Sequence, residues 1–368
     1  MKTARSWRYR ASVLAAAAAS ATALAACGSA GSSTSAGNQL AEAAPSLATS
    51  LTTAGNSWAV IPMSANPAFW QVFVRPAASQ AWQLVTPPGV ADNGGLVAAG
   101  TGGSLTVAVR PSQNLTFSPL ATSTDGGARW STGLIDANVA ATPGALAASG
   151  SQLLALLRDG TILASSDSGG TWRTLAAPGA VAGSPAGRAC GVTTVTDVSF
   201  GITQGEVLAA GTCGTASTGL FAYSAGAWSR VSLPVSGRVV RMMPDLVLVA
   251  SGTRLYAAWD TASGWPVSAP LTAGDAGGVE ASGSLAPGGA WVLLPGRRAA
   301  IVGGPGQPWR SLPEVPTGTA VLAAGPDGAV DALAASGSTL TVWRLGGAAT
   351  EWSKIQTIGV PIQLGSSS

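Results

Sequence analysis

One tryptophan recurs at a fixed place in successive units of the chain: Trp82, Trp130, Trp172, Trp228, Trp265, Trp309 and Trp352. The gaps between them are 48, 42, 56, 37, 44 and 43 residues, averaging 45. Most are followed by a short stretch ending in Leu or Pro, as in Trp172-Arg-Thr-Leu, Trp228-Ser-Arg-Val-Ser-Leu-Pro and Trp309-Arg-Ser-Leu-Pro. Between them lie short β-type runs: Ser104–Arg110, Gln152–Leu157, Glu206–Ala210, Asp245–Ala250, Ala290–Leu294 and Thr339–Arg344. Turns rich in Gly, Ser or Pro separate these runs.

Four short strands per period of about 45 residues is the signature of a propeller blade. The chain is therefore expected to be all-β, a seven-bladed β-propeller of four-stranded antiparallel blades. A pair of β-sandwiches, or a ring of six or eight blades, are the alternatives that the count leaves open. Before Trp82 there is room for only two clear strands, Ser57–Met63 and Ala68–Arg75, so Ser46–Thr53 or Gly359–Leu364 must complete that blade. The C-terminal segment is favoured, because pairing the two chain ends removes an exposed sheet edge.

Composition agrees with a packed domain. Of the 368 residues 46% are hydrophobic, 10% are charged and 13 are Trp, too apolar a balance for disorder. Histidine is absent, which excludes a Ser-His-Asp or Cys-His centre and any His-ligated metal. No calcium loop of EF-hand spacing and no phosphate-binding Gly-rich loop occurs, so no cofactor and no metal are expected.

The N-terminus reads as an export signal. MKTARSWRYR is a basic start, and Ser12–Ala26 is apolar but too short to span a bilayer. Leu24-Ala25-Ala26-Cys27-Gly28 resembles the lipobox of bacterial lipoproteins. That resemblance implies a lipid on Cys27 as the new N-terminus and a location on the outer face of the cytoplasmic membrane; a plain secretory signal with an incidental Cys27 is the alternative. Acyl chains contribute about 0.8 kcal/mol per buried CH₂, so no membrane-spanning helix is needed for anchoring. The expected division is a signal at 1–26, a Ser/Ala/Gly-rich tether at 27–50 and the propeller at 51–368. Of the 19 Lys and Arg, four lie in the signal; the remaining 15 face 16 acidic side chains, leaving no basic field for nucleic acid. The low charge and high Ala and Gly content resemble actinobacterial proteins.

Two of the units end in a sharper motif. Ser165-Ser166-Asp167-Ser168-Gly169-Gly170-Thr171-Trp172 fits the Asp-box pattern S-x-D-x-G-x-T-W, and Ser123-Thr124-Asp125-Gly126-Gly127-Ala128-Arg129-Trp130 fits it except at Arg129. Here the chain resembles the Asp-box (BNR-repeat) β-propeller superfamily, which includes sialidases, some endoglucanases, sortilin-type receptors and photosystem assembly factors. The resemblance implies that Ser123, Asp125, Gly127 and Trp130, with Ser165, Asp167, Gly169, Thr171 and Trp172, are structural. Asp can accept N–H bonds inside a tight turn, Gly supplies positive φ, and Trp covers the hairpin. A catalytic role for Asp125 and Asp167 is the competing reading, and the resemblance places no chemistry there.

With strands A to D running from axis to rim, the A–B and C–D turns share one face, and the B–C and D–A connections share the other. The resemblance places ligands on the second face. Cys190, just before a strand at Thr194–Phe200, and Cys213, just after one at Glu206–Thr212, fall there and are expected to form a disulfide in an exported protein. The same unit contains the 56-residue gap. Further candidates for the binding face are Asp92, Asp136, Arg188, Arg238, Arg241, Asp275, Glu280 and Glu314, against the plainer reading that they are solvated loop charges.

Enzymatic members of the superfamily supply a test. Sialidases use an arginine cluster, a Tyr–Glu pair and an Asp acid. This chain has only Tyr223 and Tyr256 after the signal, and Val74-Arg75-Pro76 does not match the Arg-Ile-Pro motif. The additional tryptophans Trp58, Trp70, Trp259, Trp291 and Trp343 sit in apolar strands and are expected to pack blades together rather than stack sugars. The sequence thus points to a non-catalytic, monomeric platform that binds an envelope protein or glycan. A sialidase-like glycan hydrolase is the alternative.

Overall fold

In the computed structural model the described residues are 48–63, 69–87, 93–111, 120–131, 143–214, 219–274, 278–285 and 288–361. Among the expected features, Cys27 with its lipobox, Asp92, Asp136 and Asp275 lie outside them. Seven antiparallel sheets follow one another along the chain, each with its strands in sequence order. Blade 1 holds β1 (Thr49–Thr53), β2 (Asn56–Pro62), β3 (Trp70–Arg75) and β4 (Gln83–Leu84). Blade 2 holds β5 (Asn93–Thr101), β6 (Ser104–Pro111) and β7 (Leu120–Ser123); at the place of a fourth strand the Ser131 N–H donates to the Thr122 carbonyl at 2.8 Å. Blade 3 comprises β8 (Pro143–Ser149), β9 (Gln152–Leu157), β10 (Ile162–Ser165) and β11 (Arg173–Ala176). Two short helices, α1 (Ala180–Gly183) and α2 (Pro185–Cys190), lead into blade 4: β12 (Val192–Phe200), β13 (Val207–Cys213), β14 (Leu220–Ser224) and β15 (Ala227–Arg230). Blade 5 is β16 (Arg238–Met243), β17 (Leu246–Ser251), β18 (Arg254–Trp259) and β19 (Leu271–Thr272). Blade 6 is β20 (Ala281–Ser284), β21 (Ala290–Leu294), β22 (Arg298–Val302) and β23 (Arg310–Ser311). Blade 7 is β24 (Thr319–Ala324), β25 (Val330–Ser336), β26 (Thr339–Leu345) and β27 (Ser353–Gly359). The seven-bladed propeller expected from the tryptophan period is what the chain forms.

The core of this fold lies between blades. Blades 4 and 5 share one apolar cluster, including Leu208, Leu220, Met242 and Val249, and blades 1 and 2 share another around Trp58, Trp70 and Leu105. A blade is therefore covered on both faces, and its middle strands are apolar without alternation: Leu153–Leu157, Leu246–Ala250 and Ala290–Leu294 are buried throughout. The same packing explains the additional tryptophans. Trp58, Trp70, Trp259 and Trp291 are buried and Trp343 is half-buried against the cluster of blades 6, 7 and 1.

Trp82, Trp172, Trp228, Trp309 and Trp352 stand at or just before the start of an outer strand, whereas Trp265 precedes β19 by six residues and Trp130 follows β7 in the three-stranded blade 2; in several blades the indole N–H of the periodic tryptophan reaches back to the preceding blade. Trp130 donates to the Val85 carbonyl (2.8 Å), Trp309 to Ser268 Oγ (3.0 Å) and Trp352 to the Pro313 carbonyl (3.4 Å). Trp82 donates across the seam of the ring to Asp331 Oδ2 at 2.9 Å. A large apolar ring with one donor at its edge can both fill the space between outer strands and fix the neighbouring blade.

The closure differs from expectation. Blade 1 is completed by β1, from the N-terminal candidate segment, not by Gly359–Leu364; β27 ends at Gly359 and is the outer strand of blade 7. The reason lies in hydroxyl groups that make β1 look like tether. Thr49 Oγ1 donates to the Ser282 carbonyl (2.8 Å), Ser50 Oγ to the Leu322 carbonyl (2.6 Å) and Thr52 Oγ1 to the Leu285 carbonyl (2.9 Å), while Trp291 Nε1 donates to Ser50 Oγ (2.8 Å). An inner strand can thus be polar in sequence and still be buried, because carbonyls of blades 6 and 7 satisfy it.

Behind β1 a buried polar seam joins blades 7 and 1. Asp331, 0% exposed, accepts from Arg344 Nε (2.7 Å) and Nη2 (2.9 Å) as well as from Trp82. Arg75, 3% exposed, donates through Nη2 to Ser57 Oγ and the Ala324 carbonyl, each at 3.0 Å. Burial lowers the Arg75 pKa, the Asp331 carboxylate opposes that shift, and Arg344 adds to it. Gln356 exchanges two bonds with the Trp82 backbone, at 2.8 and 2.9 Å.

Candidate functional site

The two Asp-box segments form matching turns between the third and fourth strands. Ser165 Oγ donates to Asp167 Oδ1 (2.8 Å) and accepts from the Gly169 N–H (2.9 Å); Asp167 accepts from the Thr171 N–H and hydroxyl, both at 2.8 Å. These bonds hold the Asp167 pKa down to about 2, the Thr171 N–H contributing most. Ser123, Asp125 and Gly127 repeat the pattern, and the Arg129 N–H replaces that of Thr171 at 2.9 Å, which lowers the Asp125 pKa in turn. Gly127 and Gly169 have φ of 87° and 90°. Backbone N–H groups occupy both carboxylates, so each aspartate serves its own turn.

On the opposite face, where the B–C and D–A connections lie, clefts open between neighbouring blades, and two of them are lined by described residues. The larger, about 410 Å³, separates blades 4 and 5 and is lined by residues such as Thr212, Cys213, Ser236, Arg238, Ala250 and Ser251. Its walls need glycine: a Cβ on Gly219 would collide with the Gly211 carbonyl oxygen, and one on Gly237 with that of Ala250. Cys213 of this wall is joined to Cys190 at the end of α2, with 5.3 Å between their Cα atoms. The expected disulfide therefore fastens the helical insertion to the end of β13, and the Gly214 N–H adds a bond to the Cys190 carbonyl at 3.2 Å.

The smaller cleft, about 250 Å³, lies between blades 6 and 7 and is lined by Glu280, Leu293, Arg297, Arg298 and Val315, among others. Arg297 bridges to Glu314 at 2.7 Å in the open, 46% and 65% exposed, and donates through Nε to the Val315 carbonyl at 2.8 Å. Such an exposed pair is worth at most about 1 kcal/mol.

The sequence candidates thus divide among several places. Arg238 lines the larger cleft and Glu280 the smaller, with Glu314 held beside it by Arg297. Arg188 lies on α2, where it donates to the Gly183 carbonyl. Arg241 is in the inner strand β16, close to Asp197 of β12. Burial raises the Asp197 pKa; Arg241 opposes the shift, as do the N–H groups of Met242 (2.8 Å) and Val198 (3.0 Å). Asp197 thereby bonds to the backbone beside an irregularity in the β16 ladder between Val239 and Arg241. Among the described residues no group of three or more acidic or Cys side chains could hold a metal ion. Sequence reasoning passed over Arg254, whose signal is its position opposite Ser251 at the cleft end of the β17–β18 pair.

No family model matches the chain, and no curated protein matches it. Solved structures do. A protein from Lactobacillus plantarum superposes with a TM-score of 0.51 at 11% identity, covering 83% of this chain and 97% of that one. YCF48 bound to D1 peptide gives 0.49 at 18% identity, over 83% and 94% of the two chains. A 6-phosphogluconolactonase-like protein from Bacteroides uniformis gives 0.49 at 13%, over 84% and 98%. At these identities the likeness is one of fold: the chain is a β-propeller.

Proposed function

We propose that the chain is a lipid-anchored, extracytoplasmic β-propeller that acts as a non-catalytic interaction platform in the cell envelope. The lipobox at Leu24–Cys27 supports the anchor and the address. The observation that carries the platform is the pair of interblade clefts on the face of the B–C and D–A connections, held by blades packed together on both sides. Rigid scaffolds with connecting loops gathered on one side suit recognition of partners. The described charged groups at these clefts favour binding over hydrolysis, since Glu314 is engaged by Arg297 and Glu280 lines a different cleft from Arg238. The resemblance of the Asp-box turns to the BNR superfamily fits the same scaffold role.

The test is co-purification of tagged full-length protein from cross-linked envelopes, with mass spectrometry of proteins and glycans. A reproducible protein partner, lost when residues at the clefts are substituted, is the expected result. Recovery of a defined glycan without protein overturns the reading in favour of a sialidase-like, glycan-directed role.

A further inference from the structure

Blades 4 and 5 sort their charges by face. Residues 192–272 carry eight charged side chains: Asp197, Glu206, Arg230, Arg238, Arg241, Asp245, Arg254 and Asp260. Asp197 and Arg241 face each other in the inner strands. Of the other six, every base stands at a B–C or D–A end: Arg230 closes β15, Arg238 opens β16 and Arg254 opens β18. Every acid stands at an A–B or C–D end: Glu206 before β13, Asp245 before β17 and Asp260 after β18. Burial raises the pKa of Glu206 and of Asp260, and each is raised further by an acidic neighbour, Asp260 and Asp245 respectively. The acids are thus gathered on one face. The bases are gathered on the other, around the larger cleft.

Arg238 pairs with Ala250, and Arg254 with Ser251, so both exposed arginines flank residues that line this cleft. Arg188 on α2 adds a further exposed cation on the same face. None of the described lining residues is aromatic. Apart from Arg238, the described lining consists of glycine backbone, small side chains and the disulfide-linked Cys213, a surface that offers peptide groups close approach and no platform on which a sugar ring could stack. Guanidinium groups at the mouth of such a groove favour carboxylates, by charge and by paired N–H donors.

We propose that the cleft between blades 4 and 5 takes an extended, acidic segment of a partner protein, with Arg238 and Arg254 as its carboxylate contacts. This rests on the platform reading and names the partner chemistry for it. The experiment uses the full-length chain and fluorescence anisotropy with three labelled probes: a decapeptide alternating Glu and Ala, its Gln and Ala counterpart, and a galacturonate hexamer. The Glu peptide is expected to bind, to weaken as salt rises, and to lose about tenfold or more in affinity with the double variant Arg238→Glu/Arg254→Glu. Ser251→Trp, which fills the groove and keeps both arginines, is expected to cause a similar loss. Arg310→Glu on the other face should leave binding unchanged, and melting curves confirm that each variant is folded. Equal binding of the Gln peptide, indifference to the double variant, or tighter binding of the galacturonate hexamer each overturns the proposal. Envelope co-purification separates this failure from the larger one. If the double variant still captures the wild-type partner, the cleft assignment fails and the platform stands; if wild type captures no protein, the platform itself fails.

Discussion

At the junction of blades 7 and 1, Arg75, Asp331 and Arg344 are drawn inside the wall of the ring and bonded there. At the junction of blades 4 and 5, the charges other than Asp197 and Arg241 stand at the ends of the strands, sorted by sign. The first arrangement costs desolvation, offset by partners on both blades, although the buried Arg75 Nε has no hydrogen-bond partner. The second keeps its arginines, Arg230, Arg238 and Arg254, exposed at the strand ends, where a charge gives little stability. Two interfaces of the same repeat can thus be specialised, one for closing the ring and one for recognition. Both junctions are packed with apolar side chains, and the placement of a few polar residues sets them apart.

The largest expected effect is at the seam. Asp331→Ala leaves Arg344 and the Trp82 indole without their shared acceptor and should cost about 3–5 kcal/mol in denaturant unfolding. A cost under 1 kcal/mol would erase the contrast between the junctions. Next comes the disulfide beside the open cleft: Cys190→Ser with Cys213→Ser frees a loop of sequence separation 23 and should cost about 3 kcal/mol in the chain-entropy model. Mass spectrometry that finds both thiols free in exported protein would contradict the bridge. Trp82→Phe removes the donor to Asp331 together with part of a buried ring system, for an expected loss of about 1–3 kcal/mol by the same denaturation assay. In contrast, Arg254→Glu at the exposed start of β18 should change stability by less than about 0.5 kcal/mol in the same assay.

The Asp-box turn gives an effect that depends on pH. Because Asp167 titrates at about 2 rather than 3.8, its carboxylate stabilises the fold fully above the ordinary value, and this contribution fades as pH falls toward 2. The melting-temperature gap between wild type and Asp167→Asn should accordingly be wide at pH 6 and narrow near pH 2. A gap that does not change with pH would show that the carboxylate charge is irrelevant to the turn.

Much of the architecture was legible because it follows from repetition. A tryptophan that recurs once per blade, in most of them at the start of the outer strand, leaves a period in the sequence, and five of the six β-type runs named from sequence correspond to second strands; the sixth, Thr339–Arg344, is the third strand of blade 7. Cys190 and Cys213 could be paired because they are the two cysteines that remain after the signal in a chain that reads as exported. The seam was not legible. Arg75 sits beside Pro76 in a segment that does not match the sialidase motif, and Asp331 is a lone charge in the apolar run Val330–Ser336; their partners across the seam lie 249 positions away in sequence, as the Arg75–Ala324 and Trp82–Asp331 bonds show. The β1 strand was hidden for a related reason. Its Thr and Ser hydroxyls are satisfied by carbonyls of blades 6 and 7, which no local pattern reveals. The larger cleft is intermediate: Arg238 was visible as a candidate, whereas the sorting of charges by face needs the strand directions.

The most direct test of the platform is site-specific photo-crosslinking in intact cells, with a photoreactive residue in place of Ser251 at the cleft or of Asp327 on the opposite face. The account predicts a discrete protein adduct from position 251 and none from position 327. Adducts from position 327 alone, or a glycan as the only product at position 251, would contradict it.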